Sequence, residues 1–169
     1  MAEHVVAPVR RLIVCLGNIC RSPMAEGIVR ARIEASDLAG RVLLDSAGTG
    51  DWHVGRPPDP RAIAAAARHG VDIGGLRGRQ LERADGGRFD WLLCADRGNL
   101  RDVRARLGPA VQPRTALLLD WAGVAANGEV PDPYSGDARD FEQVWQLLDR
   151  AALGIVARLQ RDAPGRRQP

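Results

Sequence analysis

Short apolar blocks and amphipathic segments alternate along the chain, with glycine, proline and charged residues between them. Four apolar blocks have the length of buried strands and cover residues 11–15, 41–46, 89–95 and 115–119. Other segments repeat apolar residues at helical spacing, namely 22–36, 59–69, 99–107 and the region of Phe141, Val144, Leu147 and Leu148. This alternation predicts an α/β fold, a three-layer sandwich with a central four-stranded parallel sheet and helices on both faces.

The length of the chain fits one domain. A chain of 169 residues forms one good core but is too short for two. Residues 1–169 are therefore predicted to be a single domain with its core at about 10–160. Residues 70–87 contain six glycines and are expected to be mostly loop. The polar end, residues 161–169, is expected to fray.

Composition and net charge indicate which classes of binding partner are not expected. The hydrophobic content of 45% and the charged content of 27% are typical of a globular protein. The net charge is only +3 and the arginines are dispersed among acidic residues, so neither nucleic acid nor a membrane is an expected partner. The N-terminus lacks the apolar core of a signal peptide, and three cysteines are an odd number for a disulfide framework. We expect a cytoplasmic protein, with leaderless export left open. All 24 basic residues are arginine, which is typical of a GC-rich bacterial genome.

The segment VCLGNICRSP, residues 14–23, has the pattern of a phosphate-binding loop with a nucleophile at its base. The first strand ends at Cys15, and Gly17 and Asn18 tolerate the positive φ of a tight turn. Arg21 lies six residues after the cysteine and offers a planar fork of donors for two phosphate oxygens.

A helix is predicted to begin directly after this loop, with Ser22 as its N-cap and Pro23 as its first residue. Backbone N–H groups of residues 16–22 and the helix dipole then converge on one anion. The same field favours a thiolate, and cysteines in such surroundings have pKa values of roughly 3.5 to 7.5. Cys15 is thus the predicted nucleophile, Arg21 the predicted phosphate ligand, and the Ser22 hydroxyl a donor that helps the sulfur leave. The predicted phosphate-binding residues are Leu16, Gly17, Asn18, Ile19, Cys20 and Ser22.

Two other roles for the cysteine stay open on the residues alone. A buried and inert Cys15 is the commoner case for a lone cysteine, but it leaves the rest of the loop unexplained. A metal site at Cys15 and Cys20 needs two further ligands, and neither Cys94 nor the three histidines supply them at regular spacing. We therefore expect no metal ion and no other cofactor.

With this loop the chain resembles the bacterial type of the low-molecular-weight protein tyrosine phosphatases, whose loop has cysteine, five residues, arginine and then serine or threonine. Residues 45–49 (DSAGT) and 52–55 (WHVG) resemble the family's second strand and aromatic loop, and residues 130–134 (VPDPY) resemble its acid loop. The resemblance covers about residues 10–160. It implies a metal-independent hydrolase that cleaves phosphotyrosine in proteins through a phosphocysteine, with inorganic phosphate as product and inhibitor.

Asp132 lies between Pro131 and Pro133, which restrict the backbone on both sides and present the carboxyl from a stiff loop. Such a group suits a general acid, which contributes roughly 10² to 10⁴ in rate by protonating the leaving oxygen. The same carboxylate then takes a proton from the attacking water. A surface turn is the alternative explanation. Trp52 and Tyr134 are expected to wall the cleft around a phenol ring, although Trp52 fits a packing role nearly as well.

Four polar residues match family positions that support the loop. Ser46, together with Asn18, is expected to tie the loop into shape, and Asp96 and Asn99 to orient the loop arginine and cap the next helix. Simple turn and cap roles are the alternative for both pairs. The chain departs from the family pattern at two positions, with Ser135 in place of a second aromatic residue and Leu76 in place of a histidine.

Three alternative functions use the same loop. A thioredoxin-coupled arsenate reductase needs a relay of thiols, for which Cys94 is suitably placed, but Arg101 occupies the position of the next thiol. A protein-arginine phosphatase carries threonine at the position of Ile19. A noncatalytic phosphate-binding module has no reason to keep Asp132.

Cys20 itself is either a resolving thiol for an oxidised Cys15 or a small apolar plug.

Overall fold

The computed structural model describes residues 7–162 and has one parallel sheet with helices on both sides. Within this range the sheet has four strands: β1 (Val9–Cys15), β2 (Val42–Gly48), β3 (Trp91–Cys94) and β4 (Thr115–Leu117). Their spatial order is β2-β1-β3-β4, so β1 pairs with both β2 and β3. The predicted fold class is confirmed.

The helices follow the predicted alternation. The described residues contain six α-helices: α1 (Arg21–Glu34), α2 (Pro60–Arg68), α3 (Asp85–Arg88), α4 (Arg97–Leu107), α5 (Leu118–Trp121) and α6 (Ala138–Asp162). A 3₁₀ helix, Pro109–Arg114, leads into β4. Asp59 caps α2 by accepting a hydrogen bond from the N–H of Arg61, and Gly70 ends the turn after this helix with a φ of 76°.

Two separate apolar clusters cover the faces of the sheet. Ile13 of β1 belongs to the larger cluster, together with Met24 of α1 and Leu148 of α6. Leu12 and Val14, its neighbours in the same strand, belong to the smaller cluster on the side of α4. Because successive side chains of a strand point to opposite faces, this central strand supplies both cores and fixes the three layers.

Two element boundaries differ from the predictions. The last predicted strand stops at Leu117, because Leu118 and Leu119 open helix α5; an apolar run of this length fits a buried strand or a buried helical turn equally well. Helix α6 continues through residues 161–162, which were expected to fray, and the rest of the predicted tail lies outside the described residues. The other predicted elements agree with the observed boundaries to within two residues.

The carboxyl edge of the sheet is where a loop can pass close to the neighbouring strand. Cys15 and Gly48 are register partners at the ends of β1 and β2. A Cβ on Gly48 would lie 2.7 Å from the Leu16 carbonyl oxygen and 3.0 Å from the Asn18 nitrogen, so only glycine fits this position without a shift. Ligands of parallel sheets bind at this edge. Elsewhere in residues 7–162, no helix combines the length and apolar character needed to cross a bilayer.

Candidate active site

Helix α1 begins two residues before the predicted cap and first residue, and this changes the role of Ser22. Cys20 is the N-cap, its carbonyl accepts from the N–H of Met24 at 3.2 Å, and Arg21 is the first helical residue. The prediction of Ser22 as N-cap and Pro23 as first residue is therefore wrong. Proline is tolerated here because it is still in the first turn, where no intrahelical partner is lost. The Ser22 hydroxyl is released from capping and lies 2.9 Å from the Cys15 sulfur.

The backbone of the loop is held against the segment that follows β2. The N–H groups of Thr49 and Gly50 donate to the carbonyls of Cys15 at 2.9 Å and Leu16 at 2.8 Å. Asn18 has a φ of 57°, as predicted, and its N–H donates to the Cys15 sulfur at 3.3 Å. Gly17 does not have the predicted positive φ. Its missing side chain makes room for another ring, since a Cβ there would lie 3.1 Å from His53 Cδ2.

A chain of buried hydrogen bonds fixes the direction of the proton on Ser22. The backbone N–H of Arg79 donates to Asn18 Oδ1 at 3.0 Å, which orients the amide because a backbone N–H can only donate. Asn18 Nδ2 then donates to Ser22 Oγ at 2.8 Å and to Ser46 Oγ at 3.0 Å. With its oxygen accepting from Asn18, Ser22 directs its own proton to the Cys15 sulfur. The geometry therefore suits the hydroxyl as a donor to the sulfur.

The same chain continues away from the cleft to Glu26, which sequence reasoning missed. Ser46 Oγ donates to Glu26 Oε1 at 2.6 Å, and Arg30 pairs with Glu26 Oε2 one turn along α1. The Glu26 residue is only 2% exposed, so its carboxylate depends on these two donors. Glu26 and Arg30 have the i,i+4 spacing of a helical ion pair. Such pairs usually lie on the solvent-exposed side of a helix, so this spacing alone did not indicate a buried residue. Leu76, which replaces a histidine in the family pattern, makes no hydrogen bond of this kind and packs against the larger core cluster.

The Arg21 side chain is 4% exposed and is held by both neighbouring loops. Its Nη1 donates to Asp96 Oδ2 at 2.7 Å and to the Val130 carbonyl at 3.0 Å. Burial lowers the pKa of Arg21, but the charge of Cys15, the Asp96 hydrogen bond and the Asp132 charge outweigh it, so the pKa is raised. The guanidinium therefore stays a cation beside the sulfur.

Asp96 and Asn99 form a reciprocal cap at the start of α4. Asp96 Oδ1 accepts from the Asn99 N–H at 2.8 Å, and Asn99 Oδ1 accepts from the Asp96 N–H at 3.2 Å. One carboxylate oxygen of Asp96 thus serves the helix and the other serves Arg21. The cap role and the arginine-orienting role, which were alternatives in the sequence, occur together in one residue.

The carboxyl of Asp132 comes to the cleft from the opposite side. Its Oδ2 lies 3.6 Å from Arg21 Nη2, and its Oδ1 accepts from the N–H of Tyr134 at 3.1 Å. The Asp132 side chain is 45% exposed, so it is free to meet a bound ligand. Ser135 lies in the turn that is closed by the hydrogen bond from the Gly136 N–H to the Pro133 carbonyl, is exposed and does not line the cleft.

The cleft between these loops has a volume of about 220 Å³. Its wall is mostly apolar, with Trp52 67% and Tyr134 52% exposed at the rim and Ile19 only 9% exposed inside. The lining residues are Cys15, Leu16, Gly17, Ile19, Cys20, Arg21, Trp52, His53, Asp132 and Tyr134. The remaining predicted residues, Asn18, Ser22, Ser46, Asp96 and Asn99, lie behind this wall as supports.

His53 and Arg61 are two further residues near the cleft that the sequence did not single out. His53 lines the cleft beside Gly17. Arg61 connects helix α2 to the loop of Asp132 through hydrogen bonds to the carbonyls of Tyr134 and Gly136, both 2.9 Å. An arginine two residues after a capping aspartate in a proline-rich turn was the available signal for such a contact.

The other cysteines have different surroundings from Cys15. Cys20 is 5% exposed in the cleft wall, where burial, Asp59 and Cys15 raise the pKa of its thiol to about 12. Cys94 is fully buried in the smaller apolar cluster, and burial raises the pKa of its thiol to about 12. All three cysteines are free. Among residues 7–162, no group of three or more histidine, cysteine, aspartate or glutamate side chains is arranged so that it could hold a metal ion.

Proteins that place a Cys-to-Arg loop at the carboxyl edge of a parallel sheet, opposite an aspartate loop, form a class of cysteine-dependent phosphatases. This chain matches the family model for low molecular weight phosphotyrosine protein phosphatase over residues 10–165. It belongs to that family, and it is a protein-tyrosine-phosphatase with the corresponding hydrolase activity.

Individual relatives agree with this assignment. A low molecular weight protein-tyrosine-phosphatase of Streptomyces coelicolor is 40% identical over 157 residues, covering 90% of this chain and 94% of the relative. The phosphotyrosine protein phosphatase of Sus scrofa is 36% identical over 161 residues, covering 95% of this chain and all of the relative. The crystal structure of YfkJ from Bacillus subtilis is similar with a TM-score of 0.87 at 34% identity, covering 94% of this chain and 99% of that chain.

Proposed function

We propose that this phosphatase cleaves phosphotyrosine in proteins by nucleophilic attack of Cys15, with Arg21 holding the phosphate and Asp132 acting as acid and base. One observation carries the proposal: the Cys15 sulfur, the Arg21 guanidinium and the Asp132 carboxyl line the same cleft. An inert structural cysteine would need neither the donors aimed at its sulfur nor the buried arginine beside it.

In the first step the Cys15 thiolate attacks phosphorus and the bond from phosphorus to the tyrosine oxygen breaks. The departing phenolate takes the proton of Asp132, which becomes a carboxylate. Arg21 and the loop amides stabilise the charge that spreads over the phosphoryl oxygens. The product of this step is a phosphocysteine and a free tyrosine side chain.

In the second step water attacks the phosphocysteine and the bond from phosphorus to sulfur breaks. The Asp132 carboxylate accepts the proton of the water, and the electron pair stays on sulfur as a thiolate. Ser22 stabilises this thiolate through its hydrogen bond of 2.9 Å. Inorganic phosphate leaves, and as the ligand of the same loop it is expected to inhibit the enzyme competitively.

The apolar rim favours an aryl leaving group. Trp52 and Tyr134 at the rim and Ile19 inside offer surfaces for a phenol ring above a buried sulfur. Phosphoserine is too short to place its phosphate on the loop while it contacts these walls. Phosphoarginine would bring a polar guanidinium against the Ile19 side chain without a hydrogen-bond partner there. We therefore propose selectivity for phosphotyrosine.

The arsenate reductase alternative is not supported by the position of Cys94. A relay thiol has to reach the reacting sulfur, and Cys94 is fully buried in the smaller apolar cluster behind the sheet. The burial that raises the pKa of its thiol to about 12 also disfavours the thiolate that a relay needs.

We also propose a cytoplasmic location, because a reducing compartment keeps the nucleophile as a free thiol. Neither nucleic acid nor a membrane is proposed as a partner, and the reaction is proposed to need no metal ion. Hydrolysis in the presence of a chelator tests the last point directly.

The experiment compares wild type, Cys15→Ser and Asp132→Ala on phosphopeptides and aryl phosphates with chelator present. Wild type is expected to prefer phosphotyrosine to phosphoserine and phosphoarginine. Cys15→Ser should abolish hydrolysis without loss of fold, as judged by circular dichroism. Asp132→Ala should lower kcat/KM about 10²- to 10⁴-fold for phosphotyrosine and much less for a weakly basic leaving group. An equal loss for all leaving groups would refute the acid role of Asp132.

A further inference from the structure

Arg61 joins three parts of the molecule that meet beside the cleft. Its Nε and Nη2 form a two-pronged pair with the Asp59 carboxylate, at 3.0 and 2.9 Å. The remaining donors reach the downstream part of the Asp132 loop, at the carbonyls of Tyr134 and Gly136. Its guanidinium also lies 4.5 Å from the centre of the Phe141 ring in helix α6.

Asp59 connects this guanidinium to the phosphate-binding loop. Its backbone N–H donates to the Ile19 carbonyl at 2.8 Å, and its side chain is only 9% exposed. The prolines before and after it, Pro58 and Pro60, fix its backbone. The hydrogen bonds from Arg61 hold the pKa of Asp59 below its usual range, so the carboxyl stays ionised as the pH falls into that range.

The loop of Asp132 is anchored differently at its two ends. At the upstream end, Val130 donates to the Ala95 carbonyl at 2.8 Å and accepts from Arg21. At the downstream end, the carbonyls of Tyr134 and Gly136 accept from Arg61. Between these anchors, the Asp132 carboxyl accepts from the Tyr134 N–H and lies 3.6 Å from Arg21 Nη2. Removal of the Arg61 side chain frees the downstream end, whereas the hydrogen bond from the Asp59 backbone N–H to the Ile19 carbonyl does not involve that side chain.

We propose that Arg61 is a positioning residue for the acid, which holds the carboxyl of Asp132 and the ring of Tyr134 at the leaving-group side of the cleft. This inference rests on the proposed function. Arg61 does not line the cleft, so it acts through the loop and not on the phosphate. Lysine cannot replace it, since a single ammonium group lacks the fork that reaches a carboxylate and two carbonyls together.

The test measures kcat/KM for a series of aryl phosphates with leaving groups from weakly to strongly basic. This parameter reports the step in which the leaving group departs. Arg61→Lys and Arg61→Gln are expected to lose about 10-fold for phosphotyrosine peptides and under about 2-fold for p-nitrophenyl phosphate, as a fraction of the acid's contribution. Inhibition by inorganic phosphate, which uses only the loop, should stay unchanged.

Arg68→Gln is the matched control, because it removes an arginine of the same helix that pairs with Glu142 on the surface. It should leave the dependence on leaving group as in wild type. In an Asp132→Asn background, Arg61→Lys should cost nothing further. A uniform loss across leaving groups, or full additivity with Asp132→Asn, would overturn the positioning role. A wild type inactive on every aryl phosphate would instead refute the proposed function.

Discussion

The hydrogen bond from Ser22 to the Cys15 sulfur gives a sharp prediction for the second chemical step. In Ser22→Ala the thiolate that leaves phosphorus loses its side-chain donor, while Arg21, Asp132 and the walls of the cleft are retained. The first step should suffer less, because a thiolate that has lost a hydrogen bond is a stronger nucleophile. The variant should therefore accumulate phosphocysteine.

The magnitude follows from the geometry of the bond. The Ser22 oxygen lies 2.9 Å from the sulfur and accepts from Asn18, which leaves its proton available to the sulfur. A hydrogen bond to a charged group contributes about 1.5–3 kcal/mol, and a tenfold change in rate corresponds to about 1.4 kcal/mol. Hydrolysis of the phosphocysteine should therefore slow by about 10- to 100-fold.

Rapid-mixing kinetics with p-nitrophenyl phosphate separate the two steps. Ser22→Ala should release one equivalent of p-nitrophenol in a fast burst and then turn over slowly, at the rate of phosphocysteine hydrolysis. The burst amplitude counts active sites, so a fraction of misfolded protein lowers the amplitude without changing the ratio of the two rates.

Two variants serve as controls. Ser22→Thr keeps the hydroxyl and should keep most of the hydrolysis rate. Ser46→Ala removes the other acceptor of the Asn18 amide, and like Ser22→Ala it leaves a buried donor unpaired at a cost of about 1–3 kcal/mol of stability. It should destabilise the fold to a similar extent without selectively slowing the second step. If Ser22→Ala turns over with no burst and at the wild-type rate, the hydroxyl does not assist the leaving thiolate.

Two further predictions concern oxidation and packing. If Cys20 captures an oxidised Cys15, wild type should recover activity when thiol reductant follows peroxide, and Cys20→Ala should recover poorly. The pKa of the Cys20 thiol is raised to about 12. The rate of disulfide formation, measured by mass spectrometry, should therefore rise from pH 7 to pH 9, roughly in proportion to the thiolate fraction of Cys20. Equal recovery of the two proteins would leave Cys20 with a packing role only. Gly48→Ala should weaken phosphate inhibition and lower the free energy of unfolding by about 1–3 kcal/mol, since its Cβ would meet backbone atoms of the loop at 2.7 and 3.0 Å. The control Gly75→Ala, whose Cβ would have nothing within 4 Å, should change neither. Unchanged phosphate inhibition in Gly48→Ala would contradict the close approach.

The sequence predicted those parts of the fold that depend on local pattern. The strands β1 and β3 are short apolar runs between loops, and helix α2 has both a capping aspartate and a terminating glycine. The helical turn at Leu118 and Leu119 was missed because periodicity does not distinguish a buried strand from a buried turn over so few residues. Tertiary packing decides such segments.

The same distinction applies to the site: its contiguous motif was predicted from the sequence, and contacts between residues far apart in the chain were not. The loop from Cys15 to Arg21 is a contiguous motif, and its chemistry is written in residue types at fixed spacing. The roles of Glu26 and Arg61 depend on partners far along the chain, at Ser46 and Tyr134. Even the start of helix α1 was misplaced, since a serine before proline is a strong local signal for a cap and only the nearby sulfur shows that the hydroxyl is used otherwise.

The long-range contacts that hold the phosphate-binding loop have a consequence for the synthesis of the protein on the ribosome. The loop is synthesised before the partners of its side chains, which lie 28, 61, 75 and 109 residues further on. Contacts of such sequence separation form late, because each requires the closure of a long loop. At roughly 5–20 residues per second, the nascent chain carries its cysteine for several seconds before the acid loop exists. A prematurely terminated chain thus carries the cysteine without the groups that support the loop, and hydrolysis begins only when the whole domain has closed around the sulfur.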